Sequence, residues 1–388
     1  MSTPETSRHF EKFTDPKTGI VSWVLKTQVT LQQQGFYFVN RAMDEMGRYL
    51  WFYCTNPPAM YMTLGVVDFE DDEVRWFPET EFSGECPLVD VDTGCAIYGG
   101  AQGIFRRSPK KDVPLEKLFD LPPEIKKYGP PSRLATHLTY SPDKSRLFMD
   151  VRSGDHFILG SLSLEDGSFQ VWREYDYCRN HAQFNPTIPD LALCAEDFWT
   201  DQTTNTFHVI RHNDKGQFMR LWTLRPDGSE TLYPPLNGER ATHEWWSRDG
   251  QVLYYCKYNP ENAIPGASGN NGIAGIRLST GEHKLYAPVP AWHGYSSLRD
   301  EFFVYDENDI FYRGCPSRVG FYNYVTGKQV FIVSQNPAIA PREKPSVYHL
   351  DPHPQLVKND EYVSYTIAQK GYTQVALCPV DQLLAATK

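Results

Sequence analysis

Residues 137–150, HLTYSPDKSRLFMD, decide the fold. The segment reads as an opening His, a polar turn carrying Ser, Pro and Asp, and a strand that begins near the tenth position. The same template recurs along the chain. His181 opens HAQFNPTIPDLALC, His243 opens HEWWSRDGQVLYYC, His293 opens HGYSSLRDEFFVYD and His353 opens HPQLVKNDEYVSYT. Two weaker copies begin at Asn40 (NRAMDEMGRYLWFYC) and Cys86 (CPLVDVDTGCAIYGG). Successive starts lie 46, 51, 44, 62, 50 and 60 residues apart.

Between these starts the apolar segments are short and alternating or β-rich: GFYFVN, RYLWFYCT, FHVIRH, VLYYCKY, QVFIVS and YVSYTI. Turn signals such as RPDGS, SRDGQ and LSTGE divide them. Seven units of about four short strands predict an all-β, seven-bladed β-propeller, with residues 1–388 as a single domain. One unit cannot bury both faces of its sheet, so neighbouring blades must stack. A pair of β-sandwiches is the runner-up. Helix is expected only at Pro114–Phe119 and Val380–Ala386. The 62-residue interval holds FWTDQTTNTFHVIRHNDKG, which reads as an extended hairpin. The 60-residue interval holds QNPAIAPREKPS, which reads as a loop.

Composition narrows the function. The 388 residues are 40% hydrophobic and 14% aromatic, ample for a core. A net charge of −10 argues against nucleic acid or an anionic membrane as partner. An anionic ligand would need a local cluster of Arg and His. The polar N-terminus has no leader pattern, and no window approaches the ~20 apolar residues of a membrane span. The eight Cys are scattered without a CxxC pair, so they read as free thiols. Cytoplasm is the expected location, or secretion if a leader has been trimmed.

His fills the first template position in five consecutive repeats: 137, 181, 243, 293 and 353. Equivalent positions of a propeller lie on one ring about its axis. Placed at the turn from the inner strand to the next, the five imidazoles would line an arc of one rim. The plainer reading is that each His caps its own turn. Arg179, Asn180 and Gln183 flank His181, and Arg220 precedes Leu221 and Trp222. His137, His181 and Arg179 are the substrate-binding candidates. His349, Asp351 and His353 alternate at strand spacing, like a comb of metal ligands. Solvated rim residues would show the same pattern. No GxSxG, GxxxxGK[ST], GxGxxG or HExxH motif is present.

On the segments ATHEWWSRDGQVLYY (241–255), NHAQFNPTIPD (180–190) and DPHPQ (351–355), the sequence resembles the oligogalacturonate lyase family of propeller polysaccharide lyases. The resemblance implies cleavage of short uronate oligosaccharides by β-elimination, with a divalent metal, commonly manganese, near the axis. It implies that His243 is the base, that Arg220 neutralises the uronate carboxylate, and that His293, His349, Asp351 and His353 are metal ligands. The family's comb favours His-Pro-His where this chain has Asp351-Pro352-His353, and Tyr348 stands where a Gln ligand is expected. The added carboxylate favours harder ions, so Mn2+ is expected, with Ca2+ as the alternative. An acidic oligosaccharide is the expected partner. The alternatives are a lyase of rhamnosyl-glucuronate linkages, a non-catalytic binding propeller, and a sugar- or lactone-hydrolysing metallopropeller.

The chemistry suits these residue types. The C5 proton of a uronate is weakly acidic, and its removal makes an enolate-like dianion that a cation or Arg must offset. An imidazole titrating near neutrality suits the abstraction.

Overall fold

The computed structural model describes the chain except residues 84–85, 237–238, 259–270, 308–316 and 337–350. Seven antiparallel sheets follow one another along the sequence as the blades of a propeller. Blade 1 is built from Gln32–Gln34, Tyr49–Thr55, Met62–Asp68 and Glu73–Phe82, and blade 2 from Leu88–Val89, Ala96–Gly100, Gly103–Arg107 and Glu116–Phe119. In blade 3 the innermost strand is split, and Pro131–Arg133 and Thr139–Tyr140 both pair with Arg146–Ser153. The innermost strands of blades 4, 5 and 6 are Arg179–Phe184, Arg240–Trp246 and His293–Ser296.

Blade 7 joins the two ends of the chain. Gln355–Val357, Tyr362–Gln369 and Tyr372–Pro379 come from the C-terminal part. Val21–Leu25 and Phe10–Thr14 complete the sheet from the N-terminal part. Trp23 pairs with Leu377 and Val24 with Ala376. Ile20 and Val24 are thereby buried with Val319, Phe321 and Val363.

Aromatic side chains fill the seams between blades. Phe82 meets Tyr98 at 5.6 Å between blades 1 and 2, Phe148 meets Phe184 at 5.0 Å between blades 3 and 4, and Tyr254 meets Phe303 at 5.6 Å between blades 5 and 6. Such pairs add to the burial of the rings themselves.

Three local expectations change. Pro114–Phe119 is not helical: Glu116–Phe119 is the outer strand of blade 2, with Glu116 opposite Arg106. The helix propensity of Glu, Lys and Leu is worth only tenths of a kcal/mol per residue, less than a ladder supplied by a neighbouring strand. GFYFVN is not a strand either. The innermost strand of blade 1 stops after Gln34, and the chain crosses the axis before Met43 resumes pairing with Leu50. The crossing is anchored on both sides. Gly35 N donates to Thr366 Oγ1 (3.0 Å), Ala42 N to Gln355 Oε1 (2.9 Å) and Asn40 Nδ2 to Leu138 O (2.9 Å). It carries Tyr37 and Phe38 into the axis. The expected hairpin does form, as Trp199–Thr200 paired with Phe207–His208, but FHVIRH is a strand only over Phe207–His208. Val380–Ala386 is helical as expected, with Val380 and Leu383 buried. The QNPAIAPREKPS segment lies outside the described residues from 337 onward. Among the described residues, seven Cys are free and no helix is long and apolar enough to cross a membrane.

Candidate functional site

The five template histidines converge on the axis. Going round, their ring centroids are 5.2 Å (His137–His181), 6.2 Å (His181–His243), 4.1 Å (His243–His293) and 4.3 Å (His293–His353) apart. They sit on the innermost strands or just before them, ahead of the turns into the second strands. The turns into the second strands lie at the opposite mouth, where Tyr140, Pro186, Trp246, Ser297 and Lys358 line a cavity of about 450 Å³. The expected position at those turns is therefore corrected. The turns need no imidazole: Ser141 donates to Asp143 (2.6 Å), Ser247 donates to Asp249 (2.7 Å), and each Ser also accepts a backbone N–H.

Backbone geometry explains how side chains of a strand reach the axis. His181, His243 and His353 have φ of 52°, 48° and 47°, a left-handed conformation rare for residues with a Cβ. The ladders of blades 4 and 5 shift register at His181 and His243, so each innermost strand bulges there. A non-Gly residue held in this region costs of order 1–3 kcal/mol, and such strain concentrates at functional sites.

Tyr37 fills the centre of the ring. Its centroid lies 4.7 Å from His137, 6.0 Å from His181, 5.6 Å from His293 and 4.7 Å from His353. Its hydroxyl is buried without a hydrogen-bond partner. Burial pushes that phenol well above its usual range, with the Glu244 carboxylate acting in the same direction. No template position pointed to Tyr37, because it comes from the broken strand of blade 1.

The arc divides into two halves. On one side, His293 faces Asp306 across the ladder, and its Nδ1 lies 3.0 Å from Asp306 Oδ2. The same carboxylate accepts the backbone N–H groups of His293 (2.8 Å) and His353 (3.0 Å). Donor atoms of His293, Asp351 and His353 lie within 4.8 Å of one another. Two imidazoles and a carboxylate suit a divalent cation such as manganese. A carboxylate behind a ligating His fixes its tautomer and orientation, which is the role Asp306 is placed to play. His349 and Tyr348 lie outside the described residues.

The other half is an ion-pair network. Arg220 is buried and donates from Nε to Glu244 Oε2 (3.0 Å), while its Nη1 lies 3.0 Å from Asp197 Oδ1. His181 Nδ1 is 3.3 Å from Glu244 Oε1, and Asn180 Nδ2 donates to Asp197 Oδ2 (2.9 Å). Burial works to raise the Glu244 carboxyl, but Arg220 and His181 outweigh it and hold the group down at about 2. His137, on this side, is buried and neither ring nitrogen makes a hydrogen bond of normal geometry. Its pKa falls well below 6.5 through burial first and His181 second.

His243 sits where the halves meet. Its Nδ1 donates a short hydrogen bond to the Trp292 carbonyl. The tautomer so fixed leaves Nε2 as the basic nitrogen. Burial, then His293 and His181, push its pKa well below 6.5, so the ring is neutral at pH 7.

Arg179 is not brought to the cluster. Its guanidinium lies 4.1 Å from the Trp222 ring centroid, 5.1 Å from Tyr175 and 5.3 Å from Tyr177, with no exposed surface. Regular alternation would put Arg179 on the same face as His181, but the bulge and left-handed φ at His181 break that alternation and turn its imidazole away from the face Arg179 occupies. Asp306, Glu244 and Asp197 are site residues that the sequence reading missed. Asp306 left a trace, since the templates opening at His137 and His293 both end in Asp, thirteen residues on, at Asp150 and Asp306. Asp150 is likewise buried and accepts from Thr136 Oγ1 (2.6 Å).

No protein-family model and no curated protein matches the chain. Solved structures do. An oligogalacturonate lyase in complex with manganese is 17% identical, with 95% of this chain and 96% of that one covered and a TM-score of 0.73. An oligogalacturonate lyase from Vibrio parahaemolyticus is 15% identical, with 96% of each covered and a TM-score of 0.74. Hydrazine synthase of Kuenenia stuttgartiensis follows at 10% identity, 90% and 97% coverage and a TM-score of 0.52. At these identities the likeness is one of fold, and that fold is shared over nearly the whole chain with two oligogalacturonate lyases.

Proposed function

We propose that the axial cluster binds an acidic oligosaccharide and cleaves it by β-elimination at a 4-linked uronate, leaving a 4,5-unsaturated sugar. The observation that carries this reading is His243. Its Nδ1 is committed to a backbone carbonyl, burial disfavours protonation of its ring, and it stands 4.1 Å from the ring of His293 in the candidate metal triad. A neutral imidazole with its Nε2 lone pair available is the form that removes the C5 proton. The electrons of that C–H bond then form the C4–C5 double bond as the C4–O bond breaks, and the departing oxygen takes a proton from water.

His293, Asp351 and His353 would hold the cation, oriented by Asp306. A divalent cation there supplies the positive charge that offsets the uronate carboxylate as the adjacent carbon is deprotonated. Arg220 adds to that charge from the far side of the ring. It is already matched by Glu244 and Asp197, so the larger share falls to the cation. In this reading His137 and His181 remain the candidates for contacts to the sugar. Mn2+ is the expected ion.

Each elimination creates a conjugated double bond, so ultraviolet absorbance of the product tests the proposal. Defined galacturonate and rhamnosyl-glucuronate oligosaccharides should be compared. Growth on one series identifies the linkage. Binding without growth on either would favour the non-catalytic propeller.

A further inference from the structure

The hairpin in the 62-residue interval has two unlike faces. Trp199 pairs with His208 and Thr200 with Phe207. Trp199 and His208 stack at 4.6 Å, and Trp199 packs on Phe157 at 5.4 Å in blade 3. Alternation turns Phe198 and Phe207 to the other face. Both are 60% exposed, their rings lie 5.8 Å apart, and Val209, two residues on, is 71% exposed. The hairpin is held firmly in this position. The Asp155 carboxylate accepts Gln202 N (2.7 Å), Thr203 N (3.2 Å) and Thr203 Oγ1 (2.7 Å), and Arg152 donates to Thr200 O (2.8 Å). An apolar ledge braced in water in this way calls for a ligand.

The ledge adjoins the candidate site along the chain. Phe198 N donates to Asp197 Oδ1 at 2.9 Å. That same carboxylate pairs with Arg220 (3.0 Å) and accepts from Asn180 (2.9 Å), the residue before His181. We infer that Phe198 and Phe207 form a stacking subsite for a pyranose of the same acidic oligosaccharide, beyond the sugars that flank the cleaved bond. The inference rests on reading the axial cluster as a uronate-oligosaccharide site. A pyranose has an apolar C–H face and a polar edge. An exposed aromatic ring covers the face and leaves the hydroxyls and carboxylate in water. Two Phe and a Val form a patch of sugar size, well below the ~800 Å² per partner of a stable protein interface.

The test uses Phe198→Ala, Phe207→Ala and the double variant with di-, tri- and tetragalacturonate. For the double variant, kcat/KM on the tri- and tetrasaccharide should fall about tenfold, with the disaccharide changed by less than about twofold. Equal losses at every length, or no loss at any, would overturn the subsite. Calorimetric titration with trigalacturonate gives a second readout that needs no turnover. Weaker binding by the double variant supports the subsite even if the wild type eliminates nothing, in which case only the lyase reading falls. Unchanged binding overturns the subsite. So does light scattering that shows a wild-type dimer dissociated by the substitutions, because the ledge would then be a subunit contact.

Discussion

His243 combines a strained backbone, a committed Nδ1 and a depressed pKa, three features that a turn-capping residue does not need. His243→Ala is expected to lower turnover about 10²–10⁴-fold with little change in substrate binding, because proton abstraction matters only in the transition state. A His243→Asn protein with near-normal turnover would remove it from the chemistry. Arg220 has two duties. Arg220→Ala leaves the buried Glu244 and the half-buried Asp197 without their guanidinium, so we expect a loss of about 3–5 kcal/mol in unfolding free energy along with weaker binding and slower turnover. Arg220→Lys should restore only part of each, since an ammonium cannot make the fork of bonds a guanidinium makes. Denaturant unfolding beside steady-state kinetics separates the two duties. His137 adds a pH dependence. Its folded pKa lies below the ~6.5 of the unfolded chain, so on acidification the unfolded state takes up a proton that the folded state refuses. The stability it confers is present above that pH and is lost as the pH falls below it. His137→Phe keeps a ring against Tyr37 and removes the titration. Its melting temperature should therefore fall less than the wild type's between about pH 7.5 and 5, and an equal fall would contradict the assignment.

At the level of strands, the repeated template marked the blades because a polar turn followed by a β-rich run is a local pattern. It did not mark the bulges at His181 and His243, since register is a property of two strands. Nor did it separate Glu116–Phe119 from a helix, because four residues carry too little periodicity. GFYFVN was misread for a related reason: its aromatics suit a strand, and only the anchors from Thr366, Gln355 and Leu138 show that it crosses the axis. Closure of blade 7 was equally invisible, since Val21–Leu25 and Tyr372–Pro379 are more than 340 residues apart. A chain lacking residues 1–25 would lose two strands of that sheet and uncover the apolar surface behind Val24. It is expected to melt at lower temperature and with less cooperativity, followed by circular dichroism. An unchanged transition would show that the added strands are dispensable.

For the molecule as a whole, the propeller brings together groups that are remote in sequence. His137, His181, His243, His293 and His353 belong to five blades, and Tyr37 reaches them from a sixth. The five His were legible because they share one template position. The carboxylates Asp197, Glu244 and Asp306 were not, because an acidic residue in a protein of net charge −10 stands out only once its partners are known. Asp197 and Glu244 already offset Arg220, so the proposed mechanism draws its counter-charge chiefly from a cation beside His293. The decisive measurement is the rate of unsaturated product formation from trigalacturonate, read by ultraviolet absorbance in three preparations: as purified, after chelation, and after Mn2+ is returned. Turnover that is lost on chelation and regained with Mn2+ is the expected result. Full turnover by protein verified to be metal-free would contradict it, as would bound substrate that yields no unsaturated product in any of the three.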